Sequence, residues 1–442
     1  MGWIGARFVR DEGGNIAIIV ALLLLPMLVL AGGATDIARY EAYRAQLQDG
    51  IDRGVLAAAS LSQSVPVEDT VQDYLKTLTF SEQVNLDYDY TISLNVRSIR
   101  VNAHYQMPTG FLSLIGINSL GIAVNAGAEE RRSNLEISLM LDMSGSMRFS
   151  EPAGAPTRIS LLRPAAKDFI DAMLTPDSMA TTTISVVPYA GSVNPGATAF
   201  GLLGVPRQHN HSSCVEFLAA DYGNPNIAFA ARTQLAHFTQ NHTSQNDPVL
   251  GWPWCPEEVS AITYLSNNAT ALKNRIDTLK MFDGTGTAIG TNWGLLLLDP
   301  VQRPFVSKLA GAGVVNNAFS NRPADFGDAN TLKVIVLMTD GDISAQFRPK
   351  QYAYPRNPEG SGGNTEVESR NTSRDRLYQV CNRAKNNGVI VFTIGFQLTA
   401  TGQTEMRNCA SSASHFYNVQ GLDIAGAFRS VATAIQKVKL VQ

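Results

Sequence analysis

Two largely apolar stretches, each followed by an aspartate, place the strongest constraint on the fold of this chain. Residues 135–141 (LEISLML) and 332–338 (LKVIVLM) have the length and composition of buried β-strands. The first runs directly into Asp142, and the second is followed by Thr339 and Asp340. In sheets of parallel strands, ligands bind beyond the carboxyl ends of the strands. The pattern therefore predicts an α/β fold with a site where these two strands end.

The rest of the C-terminal part alternates between helices and strands. Helices are predicted over 158–174 and 422–439, further strands over 181–187 and 389–394, and a short edge strand near 415–418. Such alternation is typical of a Rossmann-like, doubly wound, mostly parallel sheet.

Two long segments, at about 195–262 and about 344–370, interrupt this alternation. Both leave the sheet on the side of Asp142, and loops of this length are usually functional or disordered. We expect the first to form an ordered cap, because it contains Cys214 and Cys255 together with the run Trp252-Pro253-Trp254.

The four cysteines indicate an oxidising compartment. Three pairings are possible. We favour Cys214 with Cys255 and Cys381 with Cys409, because each of these pairs brackets one structural unit.

The N-terminal part contains an uncharged run from Ile16 to Ala34. As a helix it is about 28 Å long, which is close to the thickness of a bilayer core. Arg7 and Arg10 precede the run, so the positive-inside rule favours a cytoplasmic N-terminus with the rest of the chain outside the cytoplasm. A cleaved signal peptide ending near Ala31-Gly32-Gly33-Ala34 is the alternative. No second run is long enough to span a membrane, so a single-pass protein is expected.

Between these parts, the helical pattern continues to about Leu61, and a short amphipathic helix is expected from Val67 to Leu78. Alternating strands follow on both sides of a predicted turn near Arg97-Ser98, and 119–127 is a further strand. The expected organisation has three parts: a short cytoplasmic tail and transmembrane helix (1–35), an extended helix and small helix-plus-sheet region (36–130), and the α/β domain (131–442).

The stretch Asp142-Met143-Ser144-Gly145-Ser146 provides one carboxylate and two hydroxyl groups, spaced two residues apart. Hard oxygen donors of this kind suit Mg²⁺, which prefers octahedral geometry and retains several waters. Mn²⁺ or Ca²⁺ is an alternative ion. Further along the chain, Gly284-Thr285-Gly286 precedes an apolar helix, and the second strand ends in Thr339-Asp340-Gly341.

In this order, the three segments resemble the metal-ion-dependent adhesion site of a von Willebrand factor A domain. The resemblance implies the ligand set Asp142, Ser144, Ser146, Thr285 and Asp340, with Thr287 as a rival to Thr285. It also implies that the hydroxyl groups contact the ion, that the carboxylates act mostly through water, and that an acidic residue of a partner protein takes the sixth position.

The strings near the N-terminus, FVRDEGGNIA before the apolar run and Thr35-Asp36-Ile37-Ala38-Arg39 after it, resemble the TadG-like proteins of Tad (Flp-type) pilus assembly, as does Ile184–Asn194 (ISVVPYAGSVN). The resemblance implies a non-enzymatic, inner-membrane anchor with a periplasmic von Willebrand factor A domain, and a partner that is another pilus-assembly component or a pilin. The alternatives are an accessory, chaperone or stress-sensing protein that works with an ATPase, and a surface adhesin.

Other classes of function find no support in the sequence. The net charge of −3 gives no electrostatic basis for binding nucleic acid. Neither a Ser-His-Asp arrangement nor a phosphate-binding loop is present, so no enzyme is predicted. His209, His211, His237 and His242 share the first insertion, but their spacing matches no zinc site, and we expect them to be solvated.

Overall fold

The computed structural model describes residues 13–60, 63, 65–92, 96–131, 134–150, 152–241, 251–351 and 363–441. The chain divides into two compact units, Met1–Arg132 and Ser133–Gln442.

Unit 1 begins with helix α1, Gly13–Ala58, which is 46 residues long and includes Pro26. Within the described residues it is the one helix long and apolar enough to cross a membrane. Its large side chains from Ile18 to Leu30 are mostly exposed, as expected of a segment that contacts lipid. The cytoplasmic tail predicted before it, with Arg7 and Arg10, lies outside the described residues.

The remainder of unit 1 is a short helix, α2 (Val67–Leu75), and an antiparallel sheet of three strands in the order β1-β2-β3. The strands are β1 Asn85–Ile92, β2 Val96–Pro108 and β3 Ser119–Arg131. Alternate residues of β2, such as Val101 and Tyr105, pack against Leu47 and Ile51 of α1. The period of two in the sequence therefore corresponds to one face buried against the helix.

The turn predicted near Arg97-Ser98 is wrong. Arg97 and Ser98 lie within β2, where they pair with Ile92 and Thr91 of β1. The Arg97 side chain is buried, and its Nε donates to the carbonyl oxygen of Ala58, the last residue of α1, at 2.5 Å. The polar residues Arg97 and Ser98 suggested a turn. Arg97 can instead be buried in the sheet because its guanidinium donates hydrogen bonds to carbonyl groups at and beyond the end of the helix.

Unit 2 is an α/β domain around a sheet of six strands in the order β11-β10-β7-β4-β5-β6. All neighbouring pairs are parallel except β5 and β6. The strands of this sheet are β4 Asn134–Asp142, β5 Thr182–Tyr189, β6 Thr263–Ser266, β7 Thr331–Thr339, β10 Ile390–Phe396 and β11 Phe416–Val419. The predicted fold class, a doubly wound and mostly parallel sheet, is confirmed.

Helices cover both faces of this sheet. One face packs against α3 Arg158–Met173, α5 Ala269–Thr278 and α10 Ile424–Val441. The other face packs against α6 Thr287–Leu296, α7 Arg303–Gly311, α8 Arg370–Asn386 and α9 Ala400–Cys409. This two-sided burial explains why β4 and β7 are largely apolar along their whole length.

A charged pair is nevertheless buried within these central strands. Glu136 of β4 is paired in register with Lys333 of β7, and their side chains form an ion pair at 2.6 Å. Lys333 Nζ also donates to the carbonyl oxygen of Leu298. Burial lowers the pKa of Lys333, although the Glu136 carboxylate opposes this effect.

The two disulfide bonds are those favoured from the sequence, Cys214–Cys255 and Cys381–Cys409. We call residues 195–262 the cap. The first disulfide joins two positions within it, and its described part includes helix α4, Ala197–Leu203. The second insertion contains a small antiparallel pair, β8 Gln346–Pro349 and β9 Asn364–Glu368.

Candidate metal centre

The candidate site lies where the direction of winding changes in the unit 2 sheet. From the central strand β4 the chain continues to β5 on one side, whereas β7 lies on the other side. Leu141 of β4 is paired with Met338 of β7, so Asp142 and Thr339 follow at the same edge. In doubly wound sheets the crevice at such a switch point is the usual place for a ligand.

Asp142 is completely buried, and both of its carboxylate oxygens accept hydrogen bonds. The backbone N–H of Ser144 donates to Oδ1 at 2.8 Å, and the hydroxyl of Thr339 donates to Oδ2 at 2.7 Å. The first bond bends the chain after β4 so that it turns back over the end of the strand. The second bond, between residues far apart in the sequence, ties the β4 loop to the β7 loop.

The two serine hydroxyls and Asp340 complete a continuous chain of oxygen atoms. Ser144 Oγ lies 2.8 Å from Ser146 Oγ, and Ser146 Oγ donates to Asp340 Oδ1 at 2.6 Å. The structure thus brings four of the five predicted ligands, Asp142, Ser144, Ser146 and Asp340, into one cluster. Gly341 borders it, since a Cβ atom there would lie 3.6 Å from Ser146 Oγ.

An arginine that the sequence gave no reason to include also belongs to this cluster. Arg158, the first residue of α3, donates from Nη1 to Asp340 Oδ2 at 2.9 Å and to the Asp340 carbonyl oxygen at 3.1 Å. Its Nε donates to the side chain of Gln397 at 2.8 Å. The guanidinium therefore fixes one oxygen of Asp340 and leaves the other directed toward the serines.

The fifth predicted ligand, Thr285, lies in the loop before α6. Its backbone N–H donates to Ser344 Oγ at 3.0 Å, and its carbonyl oxygen accepts from the same hydroxyl at 3.1 Å. Within the described residues the hydrogen bonds of Thr285 go to Ser344 and not to the cluster. Because Ser344 follows β7 by only a few residues, it connects the Thr285 loop to the loop that carries Asp340.

The rival residue, Thr287, is fully buried, whereas Thr285 is half-buried. The Thr287 side chain lies beside the phenol of Tyr189, whose hydroxyl donates to the carbonyl oxygen of Met338 at 2.9 Å. Asp142 and Ser144 are buried as well, so burial does not decide between the two threonines, and Thr285 remains the predicted ligand.

The glycines beside Thr285 allow its loop to pack closely on β5. A Cβ atom on Gly286 would lie only 2.5 Å from the carbonyl oxygen of Gly191, and Gly286 N–H donates to the carbonyl oxygen of Ala190. Gly284 has φ of +77° and would collide with the ring of Trp254 if it carried a side chain. The loop can reach the edge of the sheet because both positions lack a Cβ.

Asp283 fastens the cap to the same loop. Its carboxylate is buried, and Oδ2 accepts from Thr239 Oγ1 at 2.9 Å and from the backbone N–H groups of Gln240 and Asn241 at 2.6 and 2.8 Å. Asp283 therefore attaches the cap to the loop that carries Thr285, two residues further along the chain. No signal in the sequence distinguished it from an ordinary loop aspartate.

The spacing of the donor oxygens fits a divalent cation. Magnesium binds oxygen atoms at about 2.1 Å in an octahedron, so neighbouring ligand oxygens are about 2.9 Å apart. The separations of 2.8 Å between Ser144 and Ser146 and 2.6 Å between Ser146 and Asp340 are close to this value. The donors are also all hard oxygens, so the residues fit Mg²⁺. The candidate set contains only two carboxylates, and its other donors are hydroxyl groups. Within the described part of the chain, no cluster of three or more His, Cys, Asp or Glu side chains forms a metal site of the other common kind.

The electrostatics of the cluster are consistent with a cation. Burial, together with the nearby Asp340 carboxylate, raises the pKa of Asp142 to about 7. Burial also raises the pKa of Asp340, although Ser146 and Arg158 act in the opposite direction. Two buried carboxylates repel each other when both are ionised, and a divalent cation between them would favour the ionised forms.

The expected solvation of the cap histidines is wrong for two of them. His209 and His237 are buried, and the ring of His237 lies 4.9 Å from that of His211. His209 Nε2 is 2.8 Å from the carbonyl oxygen of Leu235, and His209 Nδ1 accepts from the backbone N–H of His211. These contacts with the backbone place the histidines inside the cap, and His242 lies outside the described residues.

The doubly wound sheet with a D-x-S-x-S loop after its central strand has the arrangement that the resemblance to von Willebrand factor A domains led us to expect. At the N-terminus, residues 14–61 match the model of the Tad family, the TadE/G-like Flp pilus-assembly domain. This match confirms the resemblance to TadG-like proteins over that segment, and it supports a pilus-associated function and a single N-terminal membrane anchor. No curated protein matches the chain.

Several solved structures are similar to the chain. The pilus adhesin SpaC from Lactobacillus rhamnosus GG is 12% identical over 80% of this chain and 34% of its own, with a TM-score of 0.36. Proximal thread matrix protein 1 from the mussel byssus, with a zinc-occupied MIDAS motif, is 14% identical over 69% and 46%, with a TM-score of 0.32. The vWF domain of the pilus tip protein Mfa5 from Porphyromonas gingivalis is 15% identical over 69% and 96%, with a TM-score of 0.36. The chain spans less than half of the length of the first two.

Proposed function

We propose that this chain is a non-enzymatic component of Flp-type pilus assembly, anchored in the inner membrane, whose unit 2 binds a partner protein through a divalent cation, most simply Mg²⁺. The observation that carries the proposal is the oxygen cluster at the switch point of the sheet, in which two serines and two aspartates from separate loops are joined by hydrogen bonds of 2.6–2.8 Å. The family match at residues 14–61 supplies the context of pilus assembly.

In this proposal, Ser144, Ser146 and Thr285 contact the ion, and Asp142 and Asp340 hold it mainly through water. An acidic side chain of the partner, which is another assembly component or a pilin, would complete the coordination of the ion. This chain's own residues orient the donors: Thr339 fixes Asp142, and Arg158 fixes Asp340.

The proposed orientation places the N-terminus in the cytoplasm and unit 2 in the periplasm. The two disulfide bonds support it, because disulfides persist in the periplasm and are rare in the cytosol. They disfavour a cytoplasmic accessory protein that works with an ATPase. Alkylation of the cysteines in intact cells, with and without reductant, tests this point, and cysteines that react fully without reductant would contradict it.

The metal site is tested by titrating Mg²⁺ into the purified full-length protein in detergent, followed by calorimetry. We expect Asp142→Ala and Ser146→Ala to lose most of the binding and to keep the far-UV circular dichroism of the native protein. Asp325→Ala is the matched control, because its carboxylate is exposed and it precedes β7, whereas Asp340 follows that strand. Native affinity in both site variants would refute the proposed centre.

A further inference from the structure

The loop between β2 and β3 of unit 1, residues 109–118, lies against α1 at the end of the predicted membrane span. We call it the interface loop. Between Ile18 and Arg39 of α1, most of the described residues are exposed, but Gly32, Gly33 and Asp36 are buried. Asp36 lies three residues after Gly33 and four after Gly32, so the three positions share one face of the helix, and the interface loop covers that face.

The contact depends on the two glycines. A Cβ atom on Gly32 would lie 2.1 Å from Cγ of Phe111, and one on Gly33 would lie 3.1 Å from Cδ2 of Leu112. The absence of side chains at 32 and 33 thus creates a notch in which Phe111 and Leu112 sit. A larger residue at position 32 would displace the loop.

Asp36 fixes the loop at this level of the helix. Its carboxylate accepts hydrogen bonds from the backbone N–H groups of Gly110, Phe111 and Leu112, at 3.0, 2.8 and 2.9 Å. These N–H groups belong to the start of a short 3₁₀ turn, Leu112–Ile115, where donors would otherwise lack partners. One buried carboxylate therefore both begins the turn and attaches it to α1.

The outer side of the interface loop is apolar. Phe111, Leu114, Ile115 and Ile117 are 42%, 61%, 54% and 42% exposed. The loop from 109 to 118 contains no charged residue. Neighbouring large apolar side chains with this exposure are uncommon on a surface that faces only water.

The backbone of the loop is also suited to an environment poor in water. Thr109 N–H donates to Asn118, Leu114 N–H to Phe111, Gly116 N–H to Ser113 and Ile117 N–H to Leu112, in addition to the three bonds to Asp36. Backbone groups near lipid need partners within the protein, because the hydrocarbon region supplies none.

We propose that the interface loop inserts Leu114, Ile115 and Ile117 into the surface of the bilayer from which α1 emerges. The occupant is lipid because the loop is attached at Gly32 and Asp36, at the end of the apolar run that spans the membrane. The inference rests on the membrane anchor in the proposed function. Since the loop has no charge, contact with the upper acyl-chain region is expected, and anionic headgroups are not required.

The test uses fluorescent labels on single introduced cysteines in the full-length protein, reconstituted in phosphatidylcholine nanodiscs. Among the described residues, both native pairs are disulfide-bonded and no free cysteine is present, so a label reports one site. Ile115→Cys is the probe. Lys76→Cys is the aqueous control. Lys76 directly follows α2, and α2 packs against Gly50 and Gly54 of α1. These glycines lie about 27 Å or more along the helix from Gly32. Leu23→Cys is the control for the span.

Nitroxide lipids then report depth. We expect the label at 115 to be quenched by a nitroxide near the headgroup, the label at 23 by one near the end of the acyl chain, and the label at 76 by neither. Gly32→Leu in the Ile115→Cys background should abolish most of the quenching at 115, because the leucine takes the space of Phe111. Asp36→Asn should reduce it, since an amide nitrogen cannot accept the loop's N–H groups.

The outcomes separate this proposal from the one on which it rests. Quenching at 23 without quenching at 115 overturns the insertion of the loop alone and leaves the anchor standing. Absence of quenching at 23 overturns the anchor and the insertion together. Unchanged quenching at 115 in Gly32→Leu, with native circular dichroism, overturns the role of the glycine notch.

Discussion

Replacing Arg158 by methionine provides a direct test of how the candidate metal centre balances its charges. The guanidinium and the Asp340 carboxylate are both buried, with side chains 9% and 0% exposed and 2.9 Å apart. Methionine has a similar length and no charge, so the change removes the cation while filling most of its volume. Asp340 then remains buried beside Asp142 with no positive partner from the protein.

The expected cost follows from this burial. Removing one partner of a buried ion pair typically destabilises a protein by about 3–5 kcal/mol, because the other charge is left uncompensated. An exposed pair contributes about 0–1 kcal/mol. Arg303 and Asp325 form such a pair, with side chains 35% and 74% exposed, so Arg303→Met is the matched control. Arg158→Lys, which keeps the charge but loses the planar group that bonds both Asp340 and Gln397, should fall between them.

A divalent cation should recover part of the loss. A ligand that binds only the folded state stabilises it by about 2.7 kcal/mol at a hundredfold excess over Kd. Without a competing guanidinium, the cluster in Arg158→Met should bind Mg²⁺ at least as tightly as the native cluster. We therefore expect Mg²⁺ to raise the stability of Arg158→Met more than that of the native protein or of Arg303→Met.

The assay is urea unfolding of the full-length protein in detergent, with and without Mg²⁺, followed by the fluorescence of Trp254 and Trp293, which are buried in unit 2. Two results would refute the reasoning. Equal losses in Arg158→Met and Arg303→Met would show that the buried pair carries no special cost. Equal stabilisation of all variants by Mg²⁺ would show that the ion does not share the charge environment of Asp340.

Two further predictions concern the packing of unit 2. Cys214→Ser with Cys255→Ser opens a loop with a sequence separation of 41 residues, which should lower the free energy of unfolding by about 3–4 kcal/mol in the chain-entropy model. Limited proteolysis should then cut the cap while the circular dichroism stays native. An uncut cap would contradict this expectation. Lys333→Met removes the closer cation of buried Glu136 and leaves Arg322, at 3.9 Å, so it should lower the urea midpoint. Lys333→Met with Glu136→Met should recover most of the loss. A double variant as unstable as the single one would show that packing, and not the charge, causes the defect.

The regular elements were accessible from the sequence because their burial pattern is uniform. The strand predicted over 332–338 is observed as Thr331–Thr339, and the helix predicted over 158–174 as Arg158–Met173. The strand lies inside the doubly wound sheet and, apart from Lys333, is apolar on both faces, whereas the helix lies on the sheet and is apolar on one face. The spacing of Asp142, Ser144 and Ser146 was informative for the same reason: the strand before them fixes their direction.

The cross-connections of the site were not accessible in this way. Thr339 binds Asp142, and Arg158 binds both Asp340 and Gln397, a residue 239 positions away. Each of these bonds joins segments that meet only after the sheet has formed. A single sequence shows which residues could donate or accept hydrogen bonds in such a cluster, but it does not show which of them bond to each other.

Three charged residues share the same physical reason for having been misplaced or missed. From the sequence, Asp36 only follows the apolar run, Arg97 is predicted in a turn, and Arg158 is the first residue of a predicted helix. All three are buried, and all three bond to backbone groups that regular structure leaves without partners: the start of a 3₁₀ turn, the end of α1 and the loop after β7. A charge at the end of an element is easily assigned to solvent, since solvent is the usual partner there. In this chain the ends of these elements face other parts of the same unit, so the charged side chain replaces water there. Asp36 thus holds the interface loop, and Arg158 holds the loop after β7 that carries Asp340 of the candidate metal centre.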